Sequence, residues 1–335
     1  MTDLALSSDV DQQLEQLRGG LTGYCYRMLG SPHEAEDAVQ ETLLRAWRGF
    51  DQYTGRAPLK AWVYRIATNV CVDMLRGRKR RALPMDLGGP GRPGQDAGPA
   101  LPETTWVLPM PDGRVKPPSD DPAEQALAQE RIRLAFVAAL QHLLPRQRAV
   151  VILRDVLRWK ASEVAQLLGT TVVSVNSALQ RGRASLAALD AGAGEPATLT
   201  DPDTQALLER YIDAFERFDV ERLVTILHED ATLAMPPFAL WLQGQASVIG
   251  WLETAPPECR TSQLVPAGTA NAVPAFANYR ATGPNGTYEA HSIQLAQPAD
   301  GRILAIYVFP DTALFPLFDM PLTLTPEELA ARRRR

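Results

Sequence analysis

The pattern of apolar residues in this chain is broken by one long stretch. Residues 83–121 read LPMDLGGPGRPGQDAGPALPETTWVLPMPDGRVKPPSDD, which has no helical or strand period and is dense in proline and glycine. A second, shorter break begins at Asp190 with DAGAGEPATLTDPDT. Because neither stretch continues a helix or a strand, the 335 residues are predicted to fold as several domains rather than around one core.

Residues 12–82 carry the 3.6-residue spacing of helices throughout. Within this range, a second helix is predicted to begin after Gly30, with Ser31 as N-cap, Pro32 at the first helical position and Glu34 as capping-box partner. The apolar positions of this helix, Trp47 among them, fall on one face that is predicted to be buried. The opposite face is polar and charged, which leaves it available for a partner.

A third helix is predicted over residues 59–75, and the strongest local positive charge in the front half follows it directly. This cationic stretch, residues 76–81, reads RGRKRR. A run of this kind is often a solvated helix end, but like charges so close together repel one another unless an anion lies near. The cationic stretch is therefore a candidate contact for a polyanion.

Residues 160–183 read KASEVAQLLGTTVVSVNSALQRGR, which predicts two short amphipathic helices around a turn. Gly169 suits the turn, and Thr171 is the predicted N-cap of the second helix. The outward face of that helix carries hydroxyl, amide and guanidinium groups, which suit base edges and phosphates in a major groove. Helical hairpins with a polar face also occur in proteins that bind nothing there, so this stretch alone leaves DNA binding open.

Residues 198–323 begin with helical patterns and continue with strand patterns. The segments PAFANYRAT, TYEAHSIQLAQP and RILAIYVFPD alternate and are separated by GPNG and ADG, which predicts an antiparallel sheet packed on helices. The acid and base candidates in this part are His228, Asp230, His291, Tyr307 and Asp311. Because the HED at 228–230 is predicted to lie at a helix end, where polar residues cap and turn, no catalytic residue is predicted.

Composition narrows the function classes further. The chain has 34 Lys+Arg against 39 Asp+Glu, a formal net charge of -5, which is unusual for a protein that binds a polyanion unaided. It has no apolar run of transmembrane length, and its first residues are acidic, which predicts a cytoplasmic protein without membrane contact. The three cysteines lie far apart with no CxxC, so no disulfide framework, metal site or cofactor is predicted.

Three segments together resemble the extracytoplasmic-function (ECF) group of bacterial RNA polymerase sigma-70 factors. They are EAEDAVQETLLRAWR at 34–48, LKAWVYRIATNVCVDMLR at 59–76, and LLPRQRAVVILRDVLRWKASEVAQLLGTTVVSVNSALQRGRASL at 143–186. The resemblance implies two all-α domains, region 2 over residues 12–82 and region 4 over residues 124–189, joined by a linker over residues 83–123 in place of region 3. It also implies two partners, core RNA polymerase and promoter DNA.

The resemblance assigns roles to three sets of side chains. It implies that Asp37, Gln40, Glu41 and Arg45 contact core polymerase. It implies that the melted -10 element is bound by Lys60, Trp62, Arg65, Asn69, Arg76, Arg78, Lys79 and Arg80. The last helix of region 4 would read the -35 element with Ser174, Asn176, Ser177, Gln180, Arg181 and Arg183. Core packing is the simpler interpretation for Trp62, whereas stacking on unpaired bases suits an aromatic side chain beside cations.

Residues 198–323 resemble the cone-shaped α+β SnoaL-like domain that is fused to one subgroup of ECF sigma factors. The segments that carry this resemblance are ATLAMPPFALWLQG, PAFANYR and LFPLFDMPLTL. The resemblance implies a domain that modulates the sigma regions in cis, with room for a small-molecule ligand in its pocket. Trp106 lies in the apolar WVLPMP segment of the linker and is the predicted regulatory contact; the terminal RRRR is expected to be a disordered tail.

Two other hypotheses remain open from the sequence. One is a SnoaL-like small-molecule enzyme fused to a helix-turn-helix regulator, and the other is an ordinary helix-turn-helix repressor. Neither needs the EDAVQET helix or the aromatic and amide-bearing helix before the cationic stretch, which favours a sigma factor. An acidic sigma factor is physically reasonable, because polymerase supplies most phosphate contacts. The sequence carries no signal for or against a separate anti-sigma factor.

Overall fold

The computed structural model describes residues 2–115, 132–188, 201–254 and 257–333. The chain divides into two compact units, of which the first comprises Met1–Arg81 with Val107–Gly192 and the second comprises Ala82–Trp106 with Ala193–Arg335. Much of the predicted linker therefore belongs to a folded unit. The predicted domain limits at 123, 124, 189 and 198 lie outside the described residues.

The first unit begins with three helices, α1 (Thr2–Leu29), α2 (Pro32–Arg48) and α3 (Leu59–Leu75). Helix α1 is continuous and begins ten residues before the predicted start of the domain at residue 12. It stops at Gly30, whose φ of +74° is a left-handed conformation that glycine adopts without a steric penalty. The chain thereby turns sharply from α1 into α2, and the two helices pack against each other.

The start of α2 agrees with the sequence-based prediction for Ser31 and differs from it for Glu34. Ser31 is the N-cap, and its hydroxyl oxygen accepts a hydrogen bond from the Glu34 backbone N–H at 3.4 Å. The capping-box role predicted for Glu34 is wrong, because its carboxylate lies 2.5 Å from Arg78 and 3.0 Å from Arg81. The ionic attraction of two guanidinium groups outweighs a single local hydrogen bond to a backbone N–H.

Aromatic side chains fill the core between α1 and α3. The Tyr24 ring meets the Tyr64 ring edge-on at a centroid distance of 5.4 Å, and both residues are buried. The Tyr24 hydroxyl shares a 2.8 Å hydrogen bond with the Thr68 hydroxyl. Burial raises the pKa of Tyr24 well above its ordinary value, so the group stays a neutral hydrogen-bonding partner. These contacts fix the rotation of α3 and hence which of its side chains face outward.

The rest of the first unit consists of α4 (Leu134–Gln141), α5 (Pro145–Val151), α6 (Ala161–Leu168) and α7 (Val172–Ala187). Helix α5 continues into one π-helical turn at Ile152–Val156. Helices α6 and α7 form the predicted helix-turn-helix, with Gly169 left-handed at the turn and the Thr171 hydroxyl accepting from the Ser174 N–H at 3.2 Å. Close packing of α7 on α5 requires Gly182, since a Cβ there would lie 2.6 Å from a Val151 methyl group.

The second unit packs helices on a seven-stranded sheet. Its helices are α8 (Pro202–Glu216), α9 (Val220–Ile226), α10 (Gln245–Glu253) and α11 (Pro326–Arg333). Its strands are β1 (Leu227–Ala234), β2 (Trp241–Gln243), β3 (Ser262–Ala270), β4 (Val273–Arg280), β5 (Tyr288–Ala299), β6 (Arg302–Phe309) and β7 (Thr323–Leu324). The order is β2-β1-β6-β5-β4-β3, with β7 paired to β5. Strands β3 to β6 are antiparallel neighbours, and β1 runs parallel to β6.

Two details of this unit differ from the sequence predictions. The residues His228, Glu229 and Asp230 lie inside strand β1 rather than at a helix end, because α9 already stops at Ile226. Strand β3 was not predicted, since Pro266 and Gly268 interrupt its alternation at a bulge in the pairing with β4. Both differences reflect pairing with distant strands, which outweighs local sequence preference.

Residues 82–106 pair with each other and with strand β2 of the second unit, to which they belong. The Ala82 N–H donates to the Thr105 carbonyl oxygen at 2.8 Å, which brings the two ends of the segment together. The Gly91 N–H donates to the Trp241 carbonyl oxygen at 2.7 Å, and the Trp241 indole N–H donates to the Gly88 carbonyl oxygen at 2.8 Å. We call residues 82–106 the anchored segment.

The C-terminal residues are ordered in helix α11. Leu329 is buried, and the Arg333 guanidinium forms an ion pair with Glu216 of α8. The predicted disordered tail is therefore wrong for Arg332 and Arg333, while residues 334–335 lie outside the described part of the chain. Sequence alone did not show this docking because Glu216 is more than a hundred residues away in the chain.

Candidate nucleic-acid interface

The predicted polymerase-contacting side chains share one outward face of α2. Asp37, Gln40 and Arg45 are exposed, and Glu41 is partly exposed. The Arg45 Nε donates to a Glu41 carboxylate oxygen at 2.6 Å, one helical turn away. This pair contributes only about 0.3–0.5 kcal/mol to the helix, so the face has little structural purpose of its own.

Two apolar side chains on the same face were missed. Trp47 was predicted to be buried, but its exposed fraction is 55%, and Leu44 is 40% exposed. Trp47 lies at the edge of the apolar stripe near the end of α2, where seven residues separate it from Gln40 and place both on one side. The α2 face, defined by Asp37, Gln40, Glu41, Leu44, Arg45 and Trp47, therefore combines charges with exposed apolar surface, which is typical of a protein-binding surface.

The predicted -10 side chains of α3 point outward in the same way. Lys60, Arg65 and Asn69 are exposed, whereas Trp62 is half-buried. The Trp62 ring packs on the Tyr53 ring at a centroid distance of 5.1 Å. Trp62 therefore belongs both to a local aromatic cluster and to the surface.

Within the first unit, the segment before α6 packs over this part of α3. The Trp159 ring lies 5.2 Å from the Tyr64 ring, measured between centroids. The Lys60 ammonium lies 5.9 Å from the Trp159 ring, within the range of a cation–π interaction. A cleft between the two segments is lined by Lys60, Trp62 and Arg65 on one side and by Trp159 on the other.

The cationic stretch is partly neutralised by nearby side chains. Arg78 pairs with Glu34, and Arg76 pairs with Asp73 at 3.0 Å. The Arg80 guanidinium lies 2.7 Å from the His142 Nδ1. Lys79 is exposed. The anion expected near this run of charges is thus supplied in part by Glu34, although Arg76 keeps a side-chain exposure of 77% and remains open to a phosphate.

Helix α7 presents most of the predicted base-reading groups to solvent. The exposed side chains are Ser174, Asn176, Gln180, Arg181 and Arg183, while Ser177 is half-buried. Arg183 forms two hydrogen bonds to the Asp155 carboxylate, at 2.9 and 2.5 Å, which raise its pKa and hold it in one orientation. Val173, exposed at 75% in the first turn, was missed; an apolar group there suits a thymine methyl.

A buried arginine joins α5 to α1. The Arg148 guanidinium donates to the Met28 carbonyl oxygen in the last turn of α1, and to the Gln141 side-chain oxygen at 2.6 Å. It also donates to the Leu143 carbonyl oxygen at 3.2 Å. Burial lowers the pKa of Arg148 to about 10, which leaves it protonated at neutral pH. The two helical parts of the first unit are therefore held together by a desolvated cation at a helix C-terminus.

The acid and base candidates of the second unit do not all share one cavity. His291 lines a cavity in that unit. On strand β1, the His228 Nδ1 lies 4.0 Å from an Asp230 carboxylate oxygen. Burial raises the pKa of Tyr307 to about 12, and Asp311 accepts the Ala313 N–H as a helix cap. The described residues contain no group of three or more His, Cys, Asp or Glu side chains that could hold a metal ion. None of the described helices has the length and hydrophobicity to span a bilayer.

These features define a class of protein: a helical transcription factor with a helix-turn-helix module, joined to an α+β unit. Comparison with protein families agrees segment by segment. Residues 14–81 match sigma-70 region 2, residues 133–186 match sigma-70 region 4, and residues 208–306 match the SnoaL-like domain.

Comparison with individual proteins narrows the class. The chain is 43% identical over 329 residues to the ECF RNA polymerase sigma factor SigG of Mycobacterium tuberculosis, covering 94% of this chain and 85% of that protein. It is 30% identical over 221 residues to SigJ of the same species, covering 66% and 62%. The crystal structure of SigJ superposes with a TM-score of 0.57 at 24% identity, covering 93% of this chain and 99% of that one. The chain belongs to the ECF RNA polymerase sigma factors, with a fused C-terminal SnoaL-like domain.

Proposed function

We propose that this sigma factor recruits core RNA polymerase through the α2 face and carries it to promoters that α3 and α7 recognise. The observation that carries the assignment is the exposed α2 face, on which four polar side chains and two large apolar ones lie together while the Glu41–Arg45 pair adds little to the stability of the helix. A protein of this kind works in the cytoplasm, where polymerase acts. His228, Asp230, Tyr307 and Asp311 do not line the cavity that His291 lines, which supports a binding role rather than catalysis in the second unit.

We assign the -10 element to Lys60, Trp62, Arg65 and Asn69 on α3, together with the cationic stretch. Exposed cations beside an aromatic ring suit an unpaired strand, which is held by phosphate contacts and base stacking. The Lys60 ammonium lies beside the Trp159 ring, so a strand that binds Lys60 would compete with that contact. We assign the -35 element to Ser174, Asn176, Ser177, Gln180, Arg181 and Arg183 of α7.

Base readout and phosphate contact are expected to separate in a mutational test. Gln180→Ala and Arg181→Ala should change which -35 sequence is preferred, because these side chains lie on the exposed face of α7. Neutralising Arg76, Lys79 and Arg80 to glutamine should weaken all promoters alike and flatten the salt dependence of binding. The measurement is holoenzyme binding to a library of -35 variants at several salt concentrations. Equal losses on every promoter from both sets would contradict the assignment of α7.

We propose that the second unit modulates the sigma regions in cis through the anchored segment. This segment leaves the first unit after Arg81 and rejoins it at Val107, so the connection between region 2 and region 4 is itself held by the second unit. Trp106, at the end of the segment, is fully buried. A linked regulator of this kind acts at high effective concentration and needs no strong intrinsic affinity.

Run-off transcription with core polymerase tests this proposal. Deleting residues 198–335 is expected to lower promoter output markedly, because the connection between regions 2 and 4 then loses the whole sheet that holds it, Trp241 included. Trp106→Ala should loosen the packing of the second unit and raise promoter output. Removal of residues 324–335, which include the docked helix α11, should have the same effect. Trp241→Phe keeps an aromatic ring but removes the hydrogen bond to the Gly88 carbonyl oxygen. Among these variants it makes the smallest change to the anchored segment. Indistinguishable transcription from all of these proteins would show that the second unit is an independent passenger.

A further inference from the structure

The second unit encloses a mostly apolar cavity between its helices and the sheet. The space open to the centre of a water molecule inside it is about 70 Å³, enough for several waters or one compact organic molecule. Aromatic and aliphatic side chains form most of the wall. The polar groups that line it are Ser262, Asn278, Arg280, His291 and Gln294, contributed by strands β3, β4 and β5.

Several polar atoms at this cavity are buried without a hydrogen-bond partner among the described residues. They are the Asn278 Oδ1, the Gln294 Oε1 and the Arg280 Nε. Asn278 is only 4% exposed, and the other end of the Gln294 amide is already bonded to the Tyr211 hydroxyl. Because native proteins satisfy nearly all buried polar groups, a set of three in one cavity indicates a ligand that completes them.

The cavity also carries a positive charge, that of the Arg280 guanidinium. The described residues that line it include no carboxylate, and the hydrogen bond that Arg280 makes there is a weak one to the Cys259 Sγ at 3.5 Å. His291 does not supply charge, because burial, reinforced by Arg280, lowers its pKa to about 4 and keeps it neutral. A guanidinium in such surroundings favours an anion, since charge-assisted bonds gain strength where water is excluded.

We propose that this cavity binds a small aromatic or alicyclic acid, with its carboxylate on Arg280 and a hydroxyl group donating to the Asn278 or Gln294 amide oxygen. The apolar body of the ligand would occupy the wall between the helices and the sheet. The small volume favours a body of about one ring. The inference concerns binding alone and does not depend on how the sigma regions contact polymerase or promoter.

The test uses the full chain and three probe series of equal size: the hydroxybenzoates, the neutral hydroxybenzamides and the cationic hydroxybenzylamines. Calorimetric titration is expected to show at least one hydroxybenzoate binding with a Kd below about 1 mM, at least tenfold tighter than its amide and amine counterparts. Arg280→Gln should abolish that preference, whereas Arg210→Gln, on the exposed face of α8, should leave it unchanged. Absence of binding by every hydroxybenzoate, or equal binding of the amines, overturns the proposal.

A second variant guards against loss of folding in Arg280→Gln. Asn278→Leu replaces an unsatisfied buried amide with an apolar group of similar size, so it should raise the melting temperature of the ligand-free chain. The same variant should weaken hydroxybenzoate binding at least tenfold. A lower melting temperature, or unchanged affinity, would mean that the amide serves the fold rather than a ligand, and it would refute the proposed site.

Discussion

Replacing Arg148 with alanine is expected to lower the stability of the packing between α1 and α5 by about 3 kcal/mol. The reason is that several carbonyl oxygens lose a buried charged donor at once. The Met28 carbonyl oxygen would be left without this bond at the end of α1, and the Gln141 side chain would lose a partner. Hydrogen–deuterium exchange should be roughly a hundredfold faster in the last turn of α1 and in α4. Arg146→Ala is the matched control, since Arg146 lies on the same helix but is exposed.

The same Arg148→Ala variant distinguishes a role of Arg148 in stabilising the fold from a role in controlling access to Lys60. If packing of the Trp159 segment on α3 limits access to Lys60, then loosening the first unit should increase its affinity for a single-stranded -10 oligonucleotide severalfold. Faster exchange with unchanged oligonucleotide affinity would show that Arg148 only stabilises the fold. Unchanged exchange would contradict the energetic importance that its buried hydrogen bonds imply.

Exchanging the charges of Glu41 and Arg45 is expected to weaken core polymerase binding by roughly a hundredfold or more, about 3 kcal/mol. The double variant Glu41→Arg, Arg45→Glu keeps the net charge and an ion pair one turn apart, so the helix itself should remain stable. Only the pattern of charge that α2 presents to a partner is inverted. Holoenzyme assembly, followed by fluorescence anisotropy of a labelled sigma factor, measures the loss.

Two further variants sharpen this test. The single change Glu15→Gln on α1 weakens another surface ion pair, that with Arg18, and should leave polymerase binding unchanged. Trp47→Ala should weaken polymerase binding without lowering stability, because more than half of the ring is exposed and aromatic side chains often carry the binding energy of an interface. Full holoenzyme assembly by the Glu41/Arg45 variant would refute the assignment of the α2 face.

Local chemistry explains why much of this protein was predictable from its sequence. Helix caps such as Ser31 and Thr171 depend on side chains within three residues, and both are present as predicted. The hairpins between β4, β5 and β6 follow from turn residues between alternating segments. The resemblance of three helical segments to ECF sigma factors, and of residues 198–323 to the SnoaL-like domain, is confirmed by the family comparisons.

What only the tertiary structure decided are the properties that depend on distant partners. Trp47 is exposed because the described residues leave more than half of its surface uncovered, which helical periodicity cannot predict for a residue at the margin of the apolar stripe. The anchored segment has no period of its own and acquires its structure from hydrogen bonds to Trp241. Asn278 and Gln294 meet in one cavity only because the register of β4 against β5 places them there, and register is set by the whole sheet.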